Sequence, residues 1–373
     1  MPAQRTYGRR SEVQPIRLMI VDDSIVARSV FQTILAPYPE FRIVAAASSA
    51  GQALARLDDT AVDVVLLDLA MPGMDGLTAL PEVIRRGKGA RVLVVSASAG
   101  QGADVCVRAM TLGAADTLEK PSAGSFGAPF RVDLIEKLRR IGCDAHGPDR
   151  DDLRGPLPVT TPPLPEMMSP KVTGGIDCLA IGASTGGLHA LSALFASLPA
   201  NCDMPILITQ HLPTSFMPFF AAQMTEIAGR PASVAVEGVS LLRGQILVAP
   251  GDAHIGLRTI GGLPRIHLSR EPAMSGCMPS VDPMLVAVAT HFRERAFAVI
   301  LSGMGRDGSI GARDIVEAGG EIAVQDRASS VVWGMPGSVA MSGLAATVAP
   351  PDGIAGRITE RLGGRSARRT AWR

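Results

Sequence analysis

Short apolar runs alternate with longer amphipathic stretches along most of this chain. In the first third the runs fall at Leu18–Val21, Ile43–Ala46, Val62–Leu67, Val92–Val95 and Asp116–Leu118. The segments between them have helical spacing: Ser24–Leu35 carries apolar Ile25, Val26, Val30, Ile34 and Leu35. Short, continuously apolar strands are buried on both faces, which predicts an α/β domain built on a doubly wound, five-strand parallel sheet. The style repeats in the second half, where Leu179–Ile181, Ile206–Thr209, Ile246–Ala249, Ala298–Leu301 and Ile322–Val324 read as strands. The helix after the first of these presents Leu188, Leu191, Leu194, Phe195 and Leu198 as one apolar face.

Between the halves the periodicity stops. Seven prolines, Pro148 to Pro170, crowd the stretch between Gly147 and Gly175. So little apolar surface cannot offset the entropy of ordering, and the stretch reads as an extended linker. The predicted division is a first domain over 17–138, a linker over 139–172, a second domain over 173–362 and a basic tail over 363–373.

Composition narrows the function classes. The 36 Lys and Arg nearly balance the 35 Asp and Glu, for a net charge of +1. Without a basic excess, nucleic acid is not the expected partner. Five cysteines, at 106, 143, 178, 202 and 277, form no C-x-x-C pair, which suits a reducing compartment better than a disulfide framework or a zinc motif. No apolar run reaches the roughly 18 residues that span a bilayer, and the N-terminus lacks the apolar core of a secretory signal. A cytoplasmic monomer without membrane insertion is expected.

Ligands of α/β sheets sit beyond the carboxyl ends of the strands. In the first domain Asp22 and Asp23 follow the first strand, Asp68 the third, Ser96 ends the fourth, and Lys120 with Pro121 follows the fifth. Three carboxylates at close range repel, and a hard cation such as Mg²⁺ bound through oxygens relieves that repulsion. Lys120 can pair with a carboxylate or with a bound phosphoryl group. Singly, Asp23-Ser24 also reads as a helix cap and Lys120-Pro121 as a turn. Their joint placement at strand ends marks a site.

Val21-Asp22-Asp23-Ser24, the run Asp68 to Gly76 (DLAMPGMDG), and Gly113-Ala114-Ala115-Asp116 leading to Lys120-Pro121 resemble a response-regulator receiver domain over roughly Arg17 to Leu138. The resemblance implies that Asp68 accepts a phosphoryl group from a histidine kinase, that Asp22, Asp23 and Asp68 hold Mg²⁺, and that Ser96 and Lys120 form the switch. Thr117 stands where many receivers carry an aromatic switch residue.

In the second domain Gly182-Ala183-Ser184-Thr185-Gly186-Gly187 joins a strand to a helix. A Walker loop requires Lys where Leu188 stands, and a dinucleotide fingerprint requires glycine at Ser184. G-x-S-x-G, which exposes a serine hydroxyl on a sharp turn, fits; a phosphate-binding loop with a capping serine fits nearly as well. A serine nucleophile needs a base and an orienting carboxylate. His211 directly follows the strand Ile206–Gln210, with His254 as its rival. Asp307 follows Ala298–Leu301 at the same edge, where it also reads as a helix cap, and Asp282-Pro283 reads as an N-cap with Pro at the first helical position.

Ile181–Gly187, Gln210-His211-Leu212-Pro213, Val248–His254, Pro279-Ser280-Val281-Asp282, Ser302–Gly308 and Gln325-Asp326 through Gly334-Met335-Pro336 resemble the catalytic domain of the chemotaxis protein-glutamate methylesterases (CheB) over about Thr173 to Leu362. This implies a Rossmann-like α/β fold, a triad of Ser184, His211 and Asp307, and no cofactor in this domain. The implied reactions are hydrolysis of glutamyl γ-methyl esters on chemoreceptors and deamidation of receptor glutamines. Backbone N–H groups near Thr185 and Met304 are candidate oxyanion donors. Met278 stands where the family usually shows Arg.

Overall fold

The computed structural model describes residues 14–97, 102–121, 126–143, 175–199 and 202–363. The stretch 144–172 of the expected linker and the tail beyond Gly363 lie outside these residues.

The first sheet contains β1 (Ile16–Val21), β2 (Phe41–Ala47), β3 (Val64–Asp68), β4 (Arg91–Ala97) and β5 (Asp116–Lys120), all parallel, in the order β2-β1-β3-β4-β5. Helices α1 (Ile25–Leu35), α2 (Ala50–Asp59), α3 (Gly76–Arg86), α4 (Ala103–Thr111) and α5 (Ala128–Cys143) cover its faces. Every strand expected from the apolar runs is present. The last helix continues to Cys143, five residues past the boundary expected at 138, because Ile141 extends the apolar stripe of Leu134 and Leu138 and is fully buried.

The second sheet has seven parallel strands in the order β14-β13-β12-β6-β7-β9-β8. These are β6 (Cys178–Ala183), β7 (Ile206–Gln210), β8 (Ala232–Val234), β9 (Ile246–Val248), β12 (Ala296–Ile300), β13 (Glu321–Gln325) and β14 (Thr347–Ala349). Between β9 and β12 an antiparallel hairpin, β10 (His254–Ile260) and β11 (Leu263–Ser269), turns on Gly261-Gly262, both at positive φ. The helices are α6 (Gly187–Ser197), α7 (Met217–Ala228), α8 (Val281–Phe292), α9 (Ser309–Glu317), α10 (Met335–Met341) and α11 (Pro351–Gly363). The edge strands β8 and β14 and the hairpin go beyond the five strands that the apolar runs suggest.

The two sheets share one apolar cluster. Val107 and Met110 of α4 belong with Phe216, Met217 and Phe220 at the start of α7. At this boundary Gly186 N–H donates to the Ala115 carbonyl at 2.9 Å, Thr185 Oγ1 donates to Asp116 Oδ2 at 3.2 Å, and Arg91 Nη2 donates to the Ser330 carbonyl at 3.1 Å. The α4–β5 side of the first domain therefore lies against the turn that carries Ser184. Among the described residues no helix is long and apolar enough to cross a membrane.

Candidate active site

In the second sheet the strand order reverses direction at β6, so the crevice opens where β6, β7 and β12 end. Ser184 follows β6, His211 follows β7, and Asp307 lies on the loop after β12. Local sequence explains the tight fit. Gly186 takes φ +77°, a conformation that suits glycine, and a Cβ there would meet Val331 and Ser302. A Cβ on Gly303 would stand 2.8 Å from Ser184 Cβ, so only glycine lets the two loops approach this closely. The turn that carries Ser184 is clamped from both sides. Ser184 N–H donates to the Ser302 carbonyl at 3.0 Å, and Gln210 Nε2 donates to the Ser184 carbonyl at 2.9 Å. Ser302 Oγ donates to the Thr185 carbonyl at 2.8 Å, while Gln325 Oε1 accepts from Ser302 N–H at 2.7 Å.

His211 Nε2 lies 2.8 Å from Asp307 Oδ2. Burial lowers the imidazole pKa, but the bond to Asp307, with Cys277 adding to it, outweighs burial and pushes the group up to about 9. Asp307 is buried, which raises its pKa, yet His211 and the hydrogen bonds of Ser280 and Val281 hold it down at about 2. The reason is its seat at the N-terminus of α8. Ser280 Oγ donates to Oδ1 at 2.7 Å, Val281 N–H to Oδ2 at 2.8 Å and Asp282 N–H to Oδ1 at 3.3 Å. An anion at a helix N-terminus is favoured by the unpaired amides and the dipole.

Two expectations change here. Asp307 does not cap α9; that helix starts after Gly308, and Asp282 Oδ1 accepts from its Ile310 and Gly311 amides at 3.0 and 2.9 Å. Asp282 is thus not the N-cap of its own helix, a place taken by Ser280. Burial and the nearby Asp307 charge push Asp282 up to about 6. His254, the rival base, is fully engaged: Nε2 donates to the Glu271 carbonyl at 2.9 Å and Nδ1 accepts from Ser280 N–H at 2.8 Å. It orients Ser280, which in turn holds Asp307. Neither the role of Ser280 nor that of His254 follows from local spacing, since each partner lies 26 or 27 residues away.

Among the described residues no hydrogen bond joins Ser184 Oγ to His211. The two line one cavity of about 620 Å³, together with Cys277, Met278 and Met304. Its opposite wall is formed by the first domain, through Met110, Asp116, Thr117 and Glu119. Phe216 lines this cavity and also a slot beside Ser96, Cys106 and Thr117.

In the first domain Lys120 Nζ reaches Asp68 Oδ2 at 2.7 Å and Asp22 Oδ2 at 2.8 Å. Carboxylate oxygens of Asp22, Asp23 and Asp68 lie within 4.8 Å of one another, an all-oxygen set that fits a hard cation such as Mg²⁺. Ser24 caps α1, accepting from Ala27 N–H at 3.2 Å, which leaves the two aspartates before it for the pocket. Ser96 stands near the end of β4.

Residues 179–358 match the CheB methylesterase family, and residues 18–125 match the response regulator receiver domain family. Over 349 residues the chain is 43% identical to the protein-glutamate methylesterase/protein-glutamine glutaminase 2 of Caulobacter vibrioides, covering 93% of this chain and 99% of that protein. It is 37% identical over 359 residues to the protein-glutamate methylesterase/protein-glutamine glutaminase 1 of Paramagnetospirillum magneticum, covering 91% and 94%. The crystal structure of the Thermotoga maritima CheB methylesterase catalytic domain is 33% identical, covers 50% of this chain and 98% of its own, and superposes with a TM-score of 0.48.

Proposed function

The chain belongs to the CheB methylesterase family whose members carry a receiver domain, and from that footing we propose a phosphorylation-regulated hydrolase of chemoreceptor glutamyl γ-methyl esters that also deamidates receptor glutamines. The observation that carries the chemistry is that Ser184 and His211 line one cavity at the carboxyl ends of the strands, with buried Asp307 bonded to His211 behind it.

Because His211 Nε2 is committed to Asp307, the lone pair left for catalysis is on Nδ1. Ser184 Oγ attacks the ester carbonyl as Nδ1 takes its proton, and the same nitrogen returns that proton to the departing methanol. Water then releases the acyl group by the reverse sequence. With a glutamine substrate, ammonia leaves in place of methanol. Asp307 fixes the ring and stabilises the imidazolium, helped by the α8 amides that keep it ionised. The N–H groups near Thr185 and Met304 are assigned to the developing oxyanion.

In the receiver, Asp68 is the phosphoryl acceptor for a histidine kinase. Asp22, Asp23 and Asp68 would hold Mg²⁺, which supplies charge neutralisation for the incoming phosphoryl group. Lys120, which bridges Asp68 and Asp22, and Ser96 then respond to the new charge as the switch pair. Since β5 and α4 wall the catalytic cavity, the docked receiver excludes a bulky receptor helix from Ser184. The protein works as a cytoplasmic monomer. The direct test is methanol release from methylated receptor by wild type and Ser184→Ala: loss below a hundredth of the rate is expected, and a residual rate within tenfold of wild type removes Ser184 as nucleophile.

A further inference from the structure

Among the described residues a second set of metal-ligating atoms meets at the wall of the catalytic cavity. A ring nitrogen of His211, Cys277 Sγ and a carboxylate oxygen of Asp307 lie within 4.8 Å of one another. Cys277 is half-buried and disulfide-free, whereas Cys106, Cys178 and Cys202 are buried. Its sulfur contacts the Ser275 carbonyl at 3.9 Å and faces His211, whose pKa it helps to raise. The ester chemistry described above makes no use of it.

The donor types decide which cation belongs. Thiolate and imidazole select borderline-soft ions of the zinc class and discriminate against Mg²⁺, which the oxygen-only cluster around Asp68 suits. In a tetrahedral site, bonds of about 2.0–2.3 Å put neighbouring donors roughly 3.3–3.8 Å apart. The His211–Asp307 contact of 2.8 Å must open by about half an ångström, and donors that lie within 4.8 Å of one another need close by no more than about 1–1.5 Å. Cys277 lies on the loop before α8, outside the helix, and is half-buried.

We propose that His211, Cys277 and Asp307 form an inhibitory site for a zinc-class divalent cation. The ion displaces the Nε2 proton of the His211 imidazolium and leaves the Nδ1 proton in place, Cys277 gives up its thiol proton to become the sulfur ligand, and water or Ser184 Oγ takes the fourth position. Coordination stands on the geometry alone; inhibition rests on the reading of His211 as the base, since a metal-bound, tautomer-locked imidazole no longer serves Ser184. The same chain would thus answer two cations in opposite senses, through clusters of different hardness.

Cobalt(II) titration of the full-length protein reads the coordination directly, through the thiolate-to-cobalt charge-transfer absorption. The band is expected in wild type and in Asp68→Asn, and absent in Cys277→Ser and Cys277→Ala. No band in wild type, or a band that survives both cysteine variants with their fold intact by circular dichroism, overturns the site. Zn²⁺ should slow methanol release by wild type at least tenfold, reversibly on chelation. Cys277→Ser, measured against its own metal-free rate, should lose most of that sensitivity. A cobalt band without zinc inhibition overturns the inhibitory role and points instead at the assignment of His211 as base.

Discussion

Gly186, two residues after Ser184, donates its backbone N–H to the carbonyl of Ala115 in the receiver, 2.9 Å away. The next receiver residue, Asp116, accepts from Thr185 Oγ1. The turn that presents Ser184 is therefore tied to β5, whose far end carries Lys120 of the acidic pocket. About 1 kcal/mol is typical for each such bond, so the pair fastens the domains without locking them.

Receiver-side changes at this seam should release the enzyme. Met110→Ala and Asp116→Ala leave every residue of the catalytic domain in place but remove an apolar contact and the Thr185 bond. Unphosphorylated methanol release is expected to rise about 5-fold or more, in the range set by a 1–3 kcal/mol coupling. Rates at or below wild type in both variants contradict a blocking receiver.

His211→Ala should be nearly as damaging as Ser184→Ala, because triad members act as a unit. His254→Ala should cost less, since both of its ring nitrogens serve Glu271 and Ser280. If kcat falls further for His254→Ala than for His211→Ala, the base has been assigned to the wrong histidine.

Removing the Ser280 hydroxyl strips one donor from Asp307 while leaving the α8 amides. Ser280→Ala should lower kcat about tenfold with little change in KM, as expected for a charge-assisted hydrogen bond that positions rather than reacts. An unchanged kcat, or a loss confined to KM, removes Ser280 from the positioning chain.

The apolar runs already contain the five-strand sheet and the core of the second one. What escaped them has physical causes. The strands β8 and β14 are three residues long at sheet edges, too short for a period to register. The hairpin β10–β11 had its signal in Gly261-Gly262, the glycine pair of a two-residue turn. Ser184 and His211 could be nominated because each directly follows a strand, and Asp307 because it lies on the loop after one. Asp282 and Asp307 were harder, since each carboxylate serves the helix beginning after the other. Cys277 stands 66 residues after His211 and 30 before Asp307, so no local motif joins them.

With His211 raised to about 9, the base form is scarce at neutral pH. The rate of the unphosphorylated enzyme should climb about tenfold from pH 7 to 8 and level above about 9. Cys277→Ser should move that rise to lower pH, because Cys277 contributes to the elevation. Stability runs the other way. The raised His211 contributes fully below its unfolded pKa of about 6.5 and loses its contribution as pH rises through about 9. The depressed Asp307 contributes above about 4 and loses its contribution as pH falls through about 2. A flat rate between pH 7 and 9 contradicts this.

Methanol release from methylated receptor reads whether the receiver holds the triad shut until phosphorylation releases it. The full-length protein is assayed with Mg²⁺ before and after a small phosphoryl donor is added, beside Asp68→Asn. The rate should rise about 5–150-fold for wild type and stay at its basal value for Asp68→Asn. Equal rates with and without phosphorylation, or activation that persists in Asp68→Asn, contradict it.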